Sequence, residues 1–196
     1  MVAEQEDFED FSPSIDCPVL ITERLVLRPP HEQDISELVT LANNRKVADM
    51  LARMPHPYGE REARSWLLSH ANRNAGASYA ITLAETGALI GGAGINPRGS
   101  GLEMGYWIGE PHWGKGFATE AAHAIVDIAF KATDIDELYA STRVINPGSR
   151  RVIQKCGFRY LGQGMIDSIA AGRVAVDRYL LDRKTWVSLR TWAAVK

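Results

Sequence analysis

The chain has 196 residues, 45% of them hydrophobic, which is enough for one domain with a sizeable core. Its formal net charge of −2 gives no basic excess, so we expect no nucleic acid among its partners. No apolar run approaches the roughly 20 residues that span a bilayer, so we expect no membrane partner either.

The amino terminus is acidic, and we predict a mobile tail at residues 1–17 followed by a single domain at residues 18–196. The acidic residues of the tail are Glu4, Glu6, Asp7, Glu9 and Asp10. Their charge is opposite in sign to that at the start of a secretory signal peptide, so secretion is not expected.

The two cysteines, Cys17 and Cys156, lie far apart and lack the spacing of metal ligands. The histidines show no ligand spacing either, so no metal site is predicted. Unpaired cysteines are typical of a reducing compartment, which favours a cytoplasmic location. Cys156 precedes a glycine that ends a helix, and is predicted to be a small buried apolar residue.

In the first part of the chain, apolar residues alternate at strand spacing and then recur at helical spacing. The predicted elements are a strand at 19–28 ended by two prolines, a helix at 35–42 capped by Asp34, a helical segment at 45–52, a rigid loop at 54–59 and an amphipathic helix at 60–71.

An antiparallel meander and a second set of strands and helices follow. The predicted elements are strands at 79–83, 89–95 and 102–108, a helix at 118–131, a strand at 137–144, a helix that Asn146 caps and Gly157 closes, strands at 158–162 and 174–181 joined by a polar loop, and a helix at 184–192. This order predicts an α+β layered fold, a mixed sheet with helices on its faces.

A glycine-containing turn joins the strand at 102–108 to the helix at 118–131. Gly114 and Gly116 allow the backbone of this turn to approach a ligand closely. The helix that follows directs its unpaired N–H groups and its positive dipole end at the turn. A strand, a glycine turn and a helix N-terminus together predict a site for phosphate or pyrophosphate.

Three phosphate-binding motifs compete for this turn. The Walker A pattern fits from Gly109 to Lys115, but Gly116 takes the place of the Ser or Thr that would bind Mg²⁺. The dinucleotide fingerprint G-x-G-x-x-G fits from Gly114, with Thr119 in place of the third glycine. The third pattern, [QR]-x-x-G-x-[GA], is the acetyl-CoA loop of the GNAT acetyltransferases. Gly116 and Ala118 fit it, and Trp113 stands where Gln or Arg is usual.

Other segments follow the order of the GNAT family. They are Thr22-Glu23-Arg24-Leu25-Val26-Leu27-Arg28, Glu103-x-Gly105-Tyr106-Trp107, Asn146-x-x-Ser149 and Lys155-Cys156-Gly157-Phe158. From about residue 20 to about residue 186 the chain resembles this family, and its opening strand resembles the ribosomal-protein N-terminal (Rim-type) branch. The resemblance implies a mostly antiparallel sheet that splays between its fourth and fifth strands, with helices on both faces and acetyl-CoA in the splay.

The resemblance also implies catalytic roles. Glu103 is expected to be the general base, directly or through a water, although a solvated or ion-paired glutamate is the alternative. The tyrosine that many relatives use as proton donor is replaced by Ile153, which leaves Ser149 as the candidate near the cofactor thiol. The alternative for Ser149 is the ordinary role of a residue in the first turn of a helix. Asn146 is expected to cap its helix and, by resemblance, to contact the pantetheine arm or acyl group.

The expected cofactor-binding residues surround the glycine turn. They are Trp107, Ile108, Gly109, Trp113, Gly114, Lys115, Gly116, Phe117, Ala118, Thr119, Asn146, Ser149 and Arg151. A backbone N–H near 107–109 is expected to stabilise the oxyanion. Backbone N–H groups of the turn, the Lys115 charge and the Thr119 hydroxyl are expected to bind the pyrophosphate. Arg150 and Arg151 are candidates for the 3′-phosphate of coenzyme A, or are simply solvated.

The function that follows is an N-acetyltransferase that moves acetyl from acetyl-CoA directly to an amine in a ternary complex. Branch resemblance favours a protein or peptide N-terminal α-amine. The alternatives are a small-molecule amine, such as an amino acid, polyamine or antibiotic, and a non-catalytic acyl-CoA sensor. His56, Tyr58 and Trp66 are expected to shape the acceptor pocket. The protein is expected to be a monomer or a homodimer.

Overall fold

The computed structural model describes residues 17–71, 76–98 and 101–193. All but the last residue of the predicted acidic tail lies outside the described residues. Within them, the strands are β1 Leu20–Ile21, β2 Leu25–Arg28, β3 Ala77–Leu83, β4 Leu89–Arg98, β5 Gly101–Ile108, β6 Glu137–Arg143, β7 Arg159–Ser168 and β8 Gly172–Asp182.

The α-helices of the described residues are α1 Ile35–Ala42, α2 Arg45–Ala48, α3 Glu60–Ala71, α4 Phe117–Lys131, α5 Pro147–Lys155 and α6 Arg183–Ala193. Short 3-10 turns lie at Glu32–Asp34 and Glu110–His112. None of the helices described is both long and apolar enough to cross a membrane.

The strands form one sheet in the order β1-β2-β3-β4-β5-β6-β8-β7. Every neighbouring pair is antiparallel except β5 and β6, which are parallel. One face packs against α4, α5 and α6 around a core that includes Phe130 and Ile153. The other packs against α1 and α3 around Leu38 and Tyr58. The predicted α+β layered fold is therefore confirmed.

The sheet opens between β5 and β6. Their pairing covers only Leu102–Met104 of β5 and Leu138–Ala140 of β6. Beyond that point β5 stays paired with β4 as far as Ile108, and β6 stays paired with β8 as far as Arg143. The predicted splay is confirmed. It falls between the fifth and sixth strands because the first predicted strand is two strands.

The prediction of a single strand at 19–28 is wrong, because the chain forms two strands there. The chain turns at Thr22, whose N–H donates to the Leu25 carbonyl at 2.9 Å and whose hydroxyl accepts from the Leu25 N–H at 3.1 Å. β1 consequently folds back onto β2 in antiparallel register. A threonine hydroxyl closes this turn where the usual Gly or Pro signals are absent.

The polar loop predicted between residues 162 and 174 is also wrong. β7 and β8 continue through it as a long hairpin whose connection is only residues 169–171. β7 is the outermost strand, so its polar residues face solvent and need no second strand partner. The helical segment predicted at 45–52 is shorter than expected and ends at Ala48.

Asp34 does not cap α1 as predicted, because its side chain is used elsewhere. Its carboxylate accepts two hydrogen bonds from the Arg28 guanidinium, at 2.7 and 2.8 Å, and one from the His31 N–H at 2.7 Å. Asp34 is 5% exposed, so this fork ties the end of β2 to the start of α1 inside the protein.

Asp34→Asn is predicted to lower the free energy of unfolding at neutral pH by about 2–3 kcal/mol, because it leaves Arg28 without its anion. Burial alone would raise the pKa of Asp34, but the bonds from Arg28 and His31 hold it below its ordinary value. The stabilisation from the Arg28–Asp34 pair is therefore complete at a pH above the unfolded pKa of Asp34, about 3.9. It is lost as the pH falls through the pKa of Asp34 in the folded protein.

Denaturant unfolding of both proteins from neutral to acidic pH measures this difference, which should shrink towards acid. Glu32→Gln is the matched control, because its side chain is 84% exposed and 3.7 Å from Arg64. It should change stability by no more than about 0.5 kcal/mol. An Asp34 variant as stable as wild type at neutral pH would contradict the assignment.

Candidate active site

The glycine turn presents free backbone N–H groups at the start of α4. Gly114 and Gly116 have φ angles of 75° and 83°, the left-handed region that glycine adopts without strain. Within the described residues, no protein acceptor is bonded to the N–H groups of residues 114–118. The Thr119 N–H is committed to the Gly116 carbonyl at 3.1 Å, so it is not one of the free donors that the sequence predicted.

Arg24, in the β1–β2 turn, contacts the glycine turn and holds it in place. Its guanidinium donates to the Lys115 carbonyl at 3.0 Å and pairs with the Glu120 carboxylate at 2.7 Å. It also lies 4.9 Å from the centre of the Phe117 ring. The sequence placed Arg24 only in the first strand and gave it no role, because the contact joins residues 91 positions apart.

Two side chains of the loop that were expected to bind the cofactor make their hydrogen bonds within the protein. The Trp113 indole N–H donates to the Ile108 carbonyl, so Trp113 packs back on the end of β5. The Lys115 ammonium donates to the Pro111 carbonyl at 3.1 Å and remains exposed. Backbone N–H groups are therefore the main anion donors of the turn, and Lys115 adds charge at its rim.

The gap between β5 and β6 exposes further N–H groups. The Gly109 N–H donates to the Ile90 carbonyl of β4 at 2.8 Å. Because successive N–H groups of a strand point to opposite sides, those of Gly105 and Trp107 also point to β4, while those of Tyr106 and Ile108 point into the gap. Of residues 107–109, where an oxyanion donor was predicted, Ile108 is therefore the one whose N–H points into the gap.

A pair of hydroxyls lies across the gap on the α4 side. The Tyr106 hydroxyl of β5 is 2.9 Å from the Ser149 hydroxyl of α5 and 3.3 Å from the Ser149 carbonyl. Burial raises the pKa of Tyr106, which keeps this phenol protonated. The Asn146 side chain accepts from the Ser149 N–H at 3.0 Å, so its predicted role as helix cap is confirmed.

The structure adds Tyr106 to the candidate site, although the sequence analysis assigned it no role. Tyr106 stands only within the family-like segment Glu103-x-Gly105-Tyr106-Trp107, and the tyrosine expected in α5 is replaced by Ile153, which is 1% exposed. The signal was available in the strand alternation. Tyr106 points away from Glu103, towards the helix that carries Ser149.

Glu103 lies on the opposite face of β5. Its carboxylate accepts from the Ser141 hydroxyl at 2.7 Å and from the Arg98 guanidinium at 3.1 Å, and the side chain is 36% exposed. The structure therefore contains the ion pair that was the alternative to a catalytic role for Glu103. Beside it, Gly105 has no atom within 4 Å of the position where a Cβ would stand, so open space adjoins the carboxylate.

The four remaining predicted residues have three different environments. Trp107 and Trp66 meet over Gly92, where a Cβ would lie 2.7 Å from one indole and 3.5 Å from the other. Tyr58 is 6% exposed in the core between α1 and α3. His56 has a buried Nδ1 atom without a hydrogen-bond partner in the described residues.

The loop after α2, at residues 49–52, is bonded to β6 and to the β7–β8 hairpin at this face. The Arg143 guanidinium donates to the Asp49 carbonyl, the Ser168 hydroxyl donates to the Leu51 carbonyl at 2.7 Å, and the Ile169 N–H donates to the Ala52 carbonyl at 2.9 Å. The β7–β8 hairpin and β6 therefore hold the loop over the opened end of the sheet.

The basic pair of α5 divides between two roles. Arg150 turns to the sheet, pairing with the buried Asp177 at 2.9 Å and donating to the Val144 carbonyl, so it is held away from a phosphate. Arg151 is exposed, and its contact with the 3′-phosphate of coenzyme A stays a prediction. Cys156 is 3% exposed and burial raises its pKa to about 12, which fits the predicted apolar residue.

Taken together, the gap joins two chemically different faces. A loop and helix N-terminus suited to phosphates and a hydroxyl pair lie on one side, and a carboxylate beside open space lies on the other.

The family profile described as acetyltransferase (GNAT) domain matches residues 24–159. The chain belongs to this family. Its activity is transfer of acetyl from acetyl-CoA to an amine, and the free N–H groups of the turn and gap fit that donor.

Relatives of this chain include an uncharacterized protein and a named acetyltransferase. YkkB of Bacillus subtilis, which is uncharacterized, is 30% identical over 148 residues, covering 72% of this chain and 85% of the relative. The ribosomal-protein-serine acetyltransferase of Escherichia coli is 31% identical over 64 residues, covering 33% of this chain and 36% of the relative.

Solved GNAT structures share the fold. The spermidine N-acetyltransferase of Vibrio cholerae, in complex with CoA and spermine, superposes with a TM-score of 0.72 at 23% identity. The superposition covers 85% of this chain and 99% of that one. At this identity the likeness establishes the architecture of the sheet and helices.

Gly116→Ala is predicted to weaken acetyl-CoA binding at least tenfold, because a Cβ at positive φ strains the turn and shifts its N–H groups. Gly87→Ala is the matched control, since Gly87 has a φ of 73° in a turn with no atom near its Cβ position. Both should lose about 1 kcal/mol of stability. Titration calorimetry with acetyl-CoA separates them, and equal affinities would show that this turn does not bind the cofactor.

Proposed function

We propose that this acetyltransferase transfers acetyl directly to an α-amine in a ternary complex, with Glu103 as general base. The observation that carries the proposal is the position of the gap, with Glu103 and open space on one face and the Tyr106–Ser149 pair on the other. An amine and a thioester brought to opposite sides of the gap can react without a covalent enzyme intermediate.

In this mechanism the amine nitrogen forms a bond to the thioester carbonyl carbon, and Glu103 accepts the proton that the nitrogen loses. Ser141 and Arg98 hold the carboxylate in place. The Ile108 N–H donates to the oxygen that becomes negative. The carbon–sulfur bond then breaks, and the Ser149 hydroxyl donates a hydrogen bond to the departing sulfur.

No nucleophilic side chain is needed for these steps. Cys156 is the buried thiol of the core, and the rise in its pKa disfavours the thiolate that a covalent step requires. Cys17 is partly buried and burial likewise raises its pKa. Both thiols are free, which agrees with the predicted cytoplasmic location, and that location stays a prediction.

The acceptor that we favour is a protein or peptide N-terminus. An α-amine has a pKa of about 7.7–8.0 against about 10.4 for lysine, so a carboxylate base more readily obtains the neutral nucleophile. The E. coli relative, a ribosomal-protein-serine acetyltransferase, supports this branch. The V. cholerae structure with spermine supports small amines as the alternative.

The acceptor class is tested by incubating the purified enzyme and acetyl-labelled acetyl-CoA with a cell lysate, then separating products by size. Label on protein N-termini is the expected result. Label confined to small molecules would overturn the N-terminal assignment and keep the enzyme class. Tight binding of acetyl-CoA with no label transferred to any fraction would favour the sensor alternative.

Glu103→Gln is predicted to lower kcat about 10²- to 10³-fold and to leave acetyl-CoA affinity near that of wild type, because the amide cannot accept the proton. Steady-state kinetics and calorimetry measure the two quantities. Glu85→Gln, in the exposed β3–β4 turn, is the control and should behave as wild type. Unchanged turnover in the Glu103 variant would exclude this residue as the base.

Tyr106→Phe and Ser149→Ala are each predicted to lower kcat about tenfold or more with little change in KM for acetyl-CoA. Ser149→Ala removes the hydrogen bond to the departing sulfur, and Tyr106→Phe removes the phenol that orients the hydroxyl donating it. The protonated phenol of Tyr106 acts as a positioning residue that orients the Ser149 hydroxyl. The control is Tyr160→Phe, since Tyr160 is 54% exposed on β7.

The readout that distinguishes this role from a structural one is the dependence on the leaving group. With an acetyl donor whose thiol is more acidic than that of coenzyme A, the deficit of both variants should shrink, because that thiolate needs less stabilisation. A deficit independent of the leaving thiol would mean that the hydroxyl pair only supports the fold.

A further inference from the structure

Arg143 is a partly buried cation without an anion. It is the last residue of β6, beyond the point where the pairing with β5 stops, and it shares a face with Ser141 and Glu103. Its guanidinium donates to the Asp49 carbonyl. Its Nε atom is buried with no partner, and no carboxylate of the described residues forms an ion pair with it.

The nearby carboxylates are already occupied. The Asp49 carboxylate forms an ion pair with Arg45 at 2.9 Å, and the Glu103 carboxylate accepts hydrogen bonds from Arg98 and Ser141. Neither carboxylate is bonded to Arg143. The loop that covers Arg143 contributes only a carbonyl oxygen to it, so one of its five N–H donors has a protein acceptor among the described residues.

The strand next to β6 adds a second cation to the same face. Arg178 of β8 lies directly opposite Ser141, and its guanidinium rests over Gly164 of β7, where a Cβ would be 2.6 Å away. Arg178 forms no ion pair with any residue that the structure describes. The surface between Glu103 and the β7–β8 hairpin therefore carries two arginines, Arg143 and Arg178, that no described carboxylate pairs with.

A guanidinium removed from water costs free energy unless an anion and further hydrogen bonds compensate it. A carboxylate suits it, because two parallel N–H donors match two oxygens. The protein supplies such a fork for Arg28 in Asp34, and supplies none for Arg143. A ligand carboxylate at the acceptor side would complete it.

We propose that Arg143 binds a carboxylate of the acceptor, so that the acceptor is an amine with a carboxylate close to its amino group. This inference rests on the proposed transfer to an amine near Glu103. The carboxylate has two possible sources, the α-carboxylate of a free amino acid or the acidic side chain of a peptide's first residue. A polyamine, which is cationic, would be repelled by Arg143 and Arg178.

The experiment compares wild type and Arg143→Gln on acceptors that differ only in charge. The peptide arm pairs N-terminal Glu with N-terminal Gln, and the small-molecule arm pairs glutamate with its diamide, with spermidine as the cationic acceptor. Wild type should prefer the carboxylate of at least one pair about 10- to 100-fold in kcat/KM, and Arg143→Gln should lose that preference while its rate on the neutral partner changes little.

Two further variants keep the test decisive. Arg143→Lys keeps the charge and loses the fork, so it should retain part of the preference. Arg173→Gln, on the exposed end of the β7–β8 hairpin, is the control and should keep all of it. Calorimetry with acetyl-CoA establishes that each variant is folded at the cofactor site.

The outcomes separate this inference from the proposed function. Equal loss on charged and neutral acceptors in Arg143→Gln, or a wild type that prefers spermidine or the neutral partners, would overturn the carboxylate assignment alone. A wild type that binds acetyl-CoA and acetylates none of the acceptors, nor any amine of a lysate, would overturn the proposed transfer and this inference with it.

Discussion

The active site depends on one interruption of hydrogen bonding, the end of parallel pairing between β5 and β6 after Met104 and Ala140. Both strands continue because each keeps its other neighbour. The N–H groups of Tyr106 and Ile108 are therefore left facing a gap in a sheet that is otherwise paired. A buried N–H without an acceptor costs about 1–3 kcal/mol. The pantetheine arm of acetyl-CoA carries amide oxygens that can relieve this cost.

The two faces of the gap divide the chemistry. On the α4 side, the strand alternation that buries Leu102 and Met104 also brings Tyr106 to Ser149, next to the helix whose N-terminus suits phosphate. On the α1–α3 side, the same alternation carries Glu103 and the open space at Gly105. In the proposed mechanism, the acetyl donor and the acceptor amine therefore approach from opposite faces of one strand.

Local signals in the sequence predicted the parts of the fold that are built locally. Asn146, the following proline and Gly157 lie within one helix length, and the glycine turn before α4 is continuous in sequence. Contacts between distant segments escaped prediction. The contact of Arg24 with the glycine turn and that of Arg143 with the loop after α2 join residues 91 and 94 apart, and no periodic pattern records such pairs. The β1–β2 turn was missed because a threonine hydroxyl, rather than Gly or Pro, closes it.

The most direct test of the gap as the acetyl-CoA site is amide hydrogen exchange, measured by NMR with and without coenzyme A. The amides of Gly105 and Trp107, directed to β4, should be protected in both states and serve as internal references. Those of Tyr106 and Ile108 should exchange fast in the free protein and slow strongly on binding. Protection of all four amides in the free protein, or no change at Tyr106 and Ile108 at saturating coenzyme A, would contradict the account.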